Sequence, residues 1–226
     1  MEPELLLDEL RRSEEPRLLV DPDPASDVGS VALLSGSFDP MTAAHEAMAQ
    51  AAGERVDLVV LTYSARTMPK EPGAPPPLFD ERRRIETLRQ FCTGRSGFAM
   101  GLCSHGLLAD QVRAVGDRFP VAELWLVMGS DKVVQILDRS WYEGRDSSLT
   151  SMFTAARVLY AVRAGDEGKV ETALSHPDNV RWKDRFERLS VREEIAAISS
   201  RMIRELVREG RDVSALVPEA IRDFLP

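Results

Sequence analysis

From Val31 onward the chain alternates short apolar runs with longer stretches in which hydrophobic residues recur every three or four positions. The runs Val31–Ser35, Val56–Thr62, Phe98–Cys103, Glu123–Met128 and Arg157–Val162 are rich in Val and Leu and do not alternate cleanly with polar residues. That pattern predicts strands buried on both faces. The intervening stretches Thr42–Ala52, Phe79–Cys92, Leu107–Phe119, Asp131–Leu137 and Glu167–Leu174 predict helices, and three more are expected at Val191–Ala197, Ser200–Glu209 and Pro218–Phe224. Strand–helix alternation with right-handed crossovers predicts an α/β fold, a doubly wound, Rossmann-like parallel sheet with helices on both faces. In such a fold ligands bind beyond the carboxyl ends of the strands, so the loops that follow strands are where chemistry is expected.

The first 27 residues read differently. A short amphipathic helix over Leu5–Arg12 precedes a Pro/Asp-rich stretch, Asp21–Asp27, that reads as a linker. This divides the chain into an N-terminal extension, 1–27, and one main domain, 28–226.

Charge narrows the classes of partner. Lys and Arg number 29 against 37 Asp and Glu, a formal net charge of −8. A general nucleic-acid binder needs a basic face to neutralise phosphates, so that class is disfavoured, whereas a nucleotide enzyme needs only a few local cations. Cys92 and Cys103 lack metal-ligand spacing and cannot form a disulfide scaffold, which fits a reducing cytoplasm. The carboxylate-rich start resembles no secretory signal, and no run reaches the ~20 apolar residues that span a bilayer. The expectation is a cytoplasmic protein with small-molecule partners, no nucleic acid and no membrane. Homo-oligomerisation is left open.

Two segments carry candidate chemistry. Gly36-Ser37-Phe38-Asp39-Pro40-Met41-Thr42-Ala43-Ala44-His45 follows the first strand. Gly36 and Ser37 are small where backbone N–H groups could approach a phosphate, and Asp39-Pro40 reads as a helix start. Thr42 and His45, three apart, share one face of a first helical turn whose free N–H groups and dipole favour an anion. Some 150 residues later comes Ile198-Ser199-Ser200-Arg201-Met202-Ile203-Arg204. Here a serine cap, a second helix N-terminus and a guanidinium one turn on can converge on a polyphosphate. Neither a G-x-G-x-x-G nor a P-loop occurs.

Together these segments resemble the two signatures of the nucleotidyltransferase superfamily, which includes the nicotinate/nicotinamide mononucleotide and pantetheine phosphate adenylyltransferases. The chain departs from the pattern at Ala44, where Gly is common, and at Arg201, where Thr is usual. The resemblance implies an adenylyltransferase of NAD biosynthesis that moves AMP from ATP to nicotinate or nicotinamide mononucleotide and releases pyrophosphate. It implies catalytic roles for His45 and Thr42, and ATP contacts from Gly36, Ser37, Phe38, Ile198, Ser199, Ser200 and Arg204. The turn Gly129-Ser130-Asp131 resembles the family's adenosine-side loop, adding Gly129 and Asp131. Lys70 in the Pro-Lys loop and Arg163 in the Arg-x-Gly turn are candidate substrate contacts. Trp141 is another, by stacking on a pyridine ring. ATP enters as substrate, with Mg²⁺ carried on its phosphates and no metal site built by the protein. Another nucleotidyltransferase of the superfamily, or a non-catalytic nucleotide-binding protein of the same fold, are the alternatives.

Overall fold

The computed structural model describes residues 3–24, 28–66, 76–120, 122–138, 140, 144–163 and 165–226. Seven strands form one sheet: β1 (Leu18–Asp21), β2 (Ser30–Ser35), β3 (Leu58–Ser64), β4 (Phe98–Cys103), β5 (Glu123–Gly129), β6 (Ala156–Ala161) and β7 (Phe186–Arg188). Their spatial order is β1-β4-β3-β2-β5-β6-β7. The β2–β3, β2–β5, β3–β4, β5–β6 and β6–β7 pairs are parallel, and β1 joins β4 antiparallel at the edge. The chain winds outward from β2 to β4, returns, and winds the other way from β5 to β7. Strand order therefore reverses between β2 and β5, the switch point at which doubly wound folds receive ligands.

Neighbouring residues on one strand feed different cores. On β2, Ala32 and Leu34 pack with Leu10 and Ile85, while Val31 and Leu33 pack with Val112 and Val133. Two apolar faces explain the near-continuous Val/Leu runs. The first core lies under α1 (Pro3–Arg12), α2 (Ala43–Gly53), α3 (Glu81–Cys92), α8 (Glu193–Ala196) and α9 (Ser200–Arg208). The second lies under α4 (Leu108–Arg118), α5 (Ser130–Leu137), α6 (Arg145–Ala155) and α7 (Glu167–Ser175). The doubly wound α/β architecture is the one expected.

Particular elements differ from expectation. β3 begins two residues later than the apolar run, because the Asp57 carboxylate accepts from the N–H groups of Gly29 and Ser30, which keeps that corner a turn. The leading segment is built into the sheet: Leu7 and Leu10 of α1 are fully buried, and Asp21, expected to open a linker, is the last residue of β1. The predicted helix at Pro218–Phe224 is a 3₁₀ helix over Glu219–Phe224, and that at Val191–Ala197 is the single turn of α8. No helix among the described residues is long and apolar enough to cross a membrane.

Candidate active site

A cleft of about 660 Å³ opens at the switch point, within the ~300–1,000 Å³ usual for ligand sites. Its walls come from the carboxyl ends of β2, β3, β5 and β6 and the first turn of α2.

Thr42 caps α2, and His45 is the third residue of the first turn. The His45 backbone N–H donates to Thr42 Oγ1 at 3.2 Å, and the Thr42 backbone N–H donates to His45 Nδ1 at 3.0 Å. This is a capping box with histidine in the place usually held by Glu or Gln. Its chemical consequence is a fixed tautomer: Nδ1 is occupied as an acceptor, so the neutral ring carries its proton on Nε2. Both residues line the cleft, which leaves Nε2–H as the donor a ligand can meet. Burial, with the positive charge of Arg163 as a lesser cause, pushes the His45 pKa down to about 4. At neutral pH the ring is therefore an uncharged donor beside the free N–H groups of a helix start.

The rest of the first motif builds that position. Phe38 is fully buried at φ +44°, its ring centroid 5.2 Å from that of His45. A Cβ at Gly36 would stand 3.2 Å from the Phe38 ring, so Gly36 leaves room for that packing while its own backbone lines the cleft beside Ser37. Phe38 is thus a support beneath the site, not part of its lining. Asp39 does not cap α2. Its buried Oδ1 accepts from the N–H groups of Leu78 and Phe79, at 2.9 and 2.8 Å. Its Oδ2 lies 3.3 Å from Arg84 and 3.5 Å from Arg204.

The second motif reaches the first, but not in the expected way. Arg204 is only 7% exposed and donates to the Asp39 carbonyl at 2.7 Å. Ser200 Oγ donates to the Pro40 carbonyl at 2.7 Å, and Ser199 caps α9 by accepting from the Met202 N–H. Of the candidates in this motif, Ile198 alone lines the cleft. Ser199, Ser200 and Arg204, expected at a polyphosphate, are here engaged with the chain's own backbone. A buried carboxylate at Asp39 needs compensating charge, and Arg84 and Arg204 supply it.

On the opposite wall Gly129 caps α5 and Asp131 sits in its first turn. Arg163 approaches Asp131 to 3.3 Å, and both line the cleft with Gly129. Buried Ser130 joins the two loops, donating to Asp166 at 2.9 Å and accepting from the Arg163 N–H at 3.1 Å. Lys70 and Trp141 lie outside the described residues.

Several lining groups were not anticipated. Arg84 is only 5% exposed and lines the cleft while donating to the Phe79 carbonyl at 2.9 Å. Tyr63, Glu81 and Lys132 line it as well. Burial first, and then Glu81, push the Tyr63 pKa up to about 12; burial lowers that of Lys132. The helical phase held a signal for Arg84, since it falls four and seven residues before the core residues Leu88 and Phe91.

The fold and the site together define an α/β protein with a cleft at the switch point of its sheet, lined by a helix N-terminus, a neutral histidine and two arginines. The chain belongs to the cytidylyltransferase-like family, whose pattern it matches over residues 33–206. It is 23% identical over 202 residues to a probable nicotinate-nucleotide adenylyltransferase of Lachnoclostridium phytofermentans, covering 86% of this chain and 95% of that protein. A protein of the same description from Laribacter hongkongensis is 30% identical over 216 residues, covering 87% and 91%. Among solved structures, Plasmodium falciparum nicotinic acid mononucleotide adenylyltransferase complexed with APC superposes with a TM-score of 0.58 at 14% identity, covering 87% of this chain and 96% of that one. This last likeness is one of fold.

Proposed function

We propose that the protein transfers AMP from ATP to nicotinate or nicotinamide mononucleotide and releases pyrophosphate. The observation that carries this reading is the Thr42–His45 capping box, which presents a neutral Nε2–H donor and a helix N-terminus to one cleft at the switch point. The similarity to nicotinate-nucleotide adenylyltransferases over most of both chains supports the choice of acceptor.

In this reaction a phosphate oxygen of the acceptor attacks the α-phosphorus of ATP in line, and the bond to the β-phosphate oxygen breaks. The nucleophile is already an anion, so no general base is needed, and catalysis rests on positioning and on stabilising charge where it develops. His45 Nε2–H donates at the α/β bridge, the free N–H groups of the α2 turn bind phosphate oxygens, and Arg163 supplies a cation across the cleft. Gly129 and Asp131 meet the adenosine, and the β3 wall with Arg84 receives the acceptor. Ser199, Ser200 and Arg204 act as positioning residues through the Asp39 turn. Mg²⁺ would enter with the triphosphate and would neutralise phosphate charge there.

The test is pyrophosphate release with ATP or CTP, each offered with nicotinate mononucleotide, nicotinamide mononucleotide and pantetheine phosphate. Release with ATP and a pyridine mononucleotide is expected. Release confined to CTP or to pantetheine phosphate would overturn the assignment, as would ATP binding without turnover on any acceptor.

A further inference from the structure

The carboxylates lining the cleft among the described residues are Asp131 and Glu81, and each is met by an arginine. Asp131 is answered from within the site by Arg163. Glu81 is answered from outside it: Arg11, near the end of α1, places one guanidinium nitrogen 2.7 and 2.6 Å from the two Glu81 oxygens. The same side chain donates to the Ala65 carbonyl at 3.2 Å, just past the end of β3. Arg66 donates back to the carbonyls of Arg11 and Ser13, at 2.7 and 2.6 Å. Tyr63 Oη completes the cluster, donating to Glu81 at 3.0 Å. The family match begins at residue 33, so Arg11 belongs to a segment that precedes it.

We infer that Arg11 is a positioning residue for the acceptor, masking the Glu81 carboxylate on the β3 wall so that a mononucleotide phosphate can approach. The inference rests on the proposed reaction. Both substrates are anionic, and an unmasked carboxylate on that wall would repel the incoming phosphate. The contact contributes little to holding the fold, because the Arg11 and Glu81 side chains are 37% and 43% exposed. Docking of α1 rests instead on Leu7 and Leu10, both fully buried. A segment ahead of the matched family region thereby sets the charge of the site.

The experiment compares wild type, R11M and the double variant R11M/E81Q by calorimetric titration with nicotinate mononucleotide alone, with nicotinamide mononucleotide alone, and with ATP, and then by steady-state kinetics. R11M is expected to weaken mononucleotide binding about 10-fold, ~1.4 kcal/mol, with ATP affinity unchanged, and R11M/E81Q to recover to within about 3-fold of wild type. Rescue by removing the unmasked charge is a result that a merely structural role of Arg11 would not give. Unchanged mononucleotide affinity in R11M, or a double variant as weak as the single, overturns the inference while leaving the proposed reaction intact. Wild-type protein that binds neither mononucleotide overturns the reaction itself, and the inference with it.

Discussion

His45 offers a test that needs no substrate. In the unfolded chain its imidazole titrates near 6.5, and in the folded protein near 4, with burial the larger cause and Arg163 the lesser. Between those values the unfolded chain binds a proton that the native protein refuses, so lowering the pH favours unfolding. The sign follows from the depressed pKa: the stabilising contribution is fully present above pH 6.5 and is lost as the pH falls toward 4. At ~1.4 kcal/mol per pH unit this amounts to ~3 kcal/mol. His45→Gln removes the titration but keeps the local fold, because Thr-x-x-Gln is itself a capping box and the Gln carbonyl can accept the Thr42 N–H. Urea denaturation of both proteins at intervals from pH 7.5 to 4 provides the assay. Carboxylates common to the two cancel in the difference, so the wild type should lose ~3 kcal/mol more than His45→Gln across the window. Parallel curves, agreeing within ~1 kcal/mol, would show that the histidine is neither desolvated nor held neutral, and the donor role would fall with it.

His45→Ala should lower kcat by ~10²–10³, the scale of one lost transition-state donor, as measured by pyrophosphate release; near-normal kcat would remove His45 from the chemistry. Asp39→Asn leaves Arg84 and Arg204 buried without their shared carboxylate, and should cost ~3–5 kcal/mol in urea unfolding. A loss under ~1 kcal/mol would mean the two arginines do not depend on that charge. Gly36→Ala sets a methyl against the Phe38 ring and should cost ~1–3 kcal/mol while raising the KM for ATP, since that ring lies against His45. An unchanged KM for ATP would separate the ring from the phosphate site.

Legibility in the sequence followed how local the cause of each feature is. The strands β2, β4 and β5 stood out because both of their faces are buried, which leaves a run of Val and Leu with few interruptions. The strands β1 and β7 were invisible: at four and three residues they are shorter than any periodicity, and their pairing depends on partners far along the chain. Helix α6 was also missed. Its Ser147, Thr150 and Thr154 are weak helix formers whose hydroxyls donate to backbone carbonyls three or four residues back. Burial of Leu149, Met152 and Phe153 decides the conformation there. The same division runs through the site. Thr42 and His45 interact within one turn and could be read directly, whereas the pairing of Arg11 with Glu81 spans 70 residues and leaves no local mark.

The two signature segments lie far apart in the chain because they answer one structural problem from two sides. Catalysis by positioned dipoles requires donors that do not reorganise as charge develops, so the turn bearing Thr42 and His45 must be rigid before the substrate arrives. A loop leaving a strand has few hydrogen bonds of its own, and here the missing ones come from elsewhere. The Asp39 carboxylate holds the 78–79 backbone and draws in Arg84, while α9 supplies Ser200 to the Pro40 carbonyl and Arg204 to that of Asp39. Asp39, Pro40, Ser200 and Arg204 of the two signatures therefore form a brace, while Gly36, Thr42, His45 and Ile198 line the cleft. On this account Arg204→Lys should act through the turn: a point charge cannot reproduce the planar fork at Asp39, so kcat and ATP affinity should fall together with stability. If Arg204→Lys lowered ATP affinity alone, with urea unfolding unchanged, Arg204 would have to leave Asp39 for the phosphates when the nucleotide binds, and the brace would be a resting state.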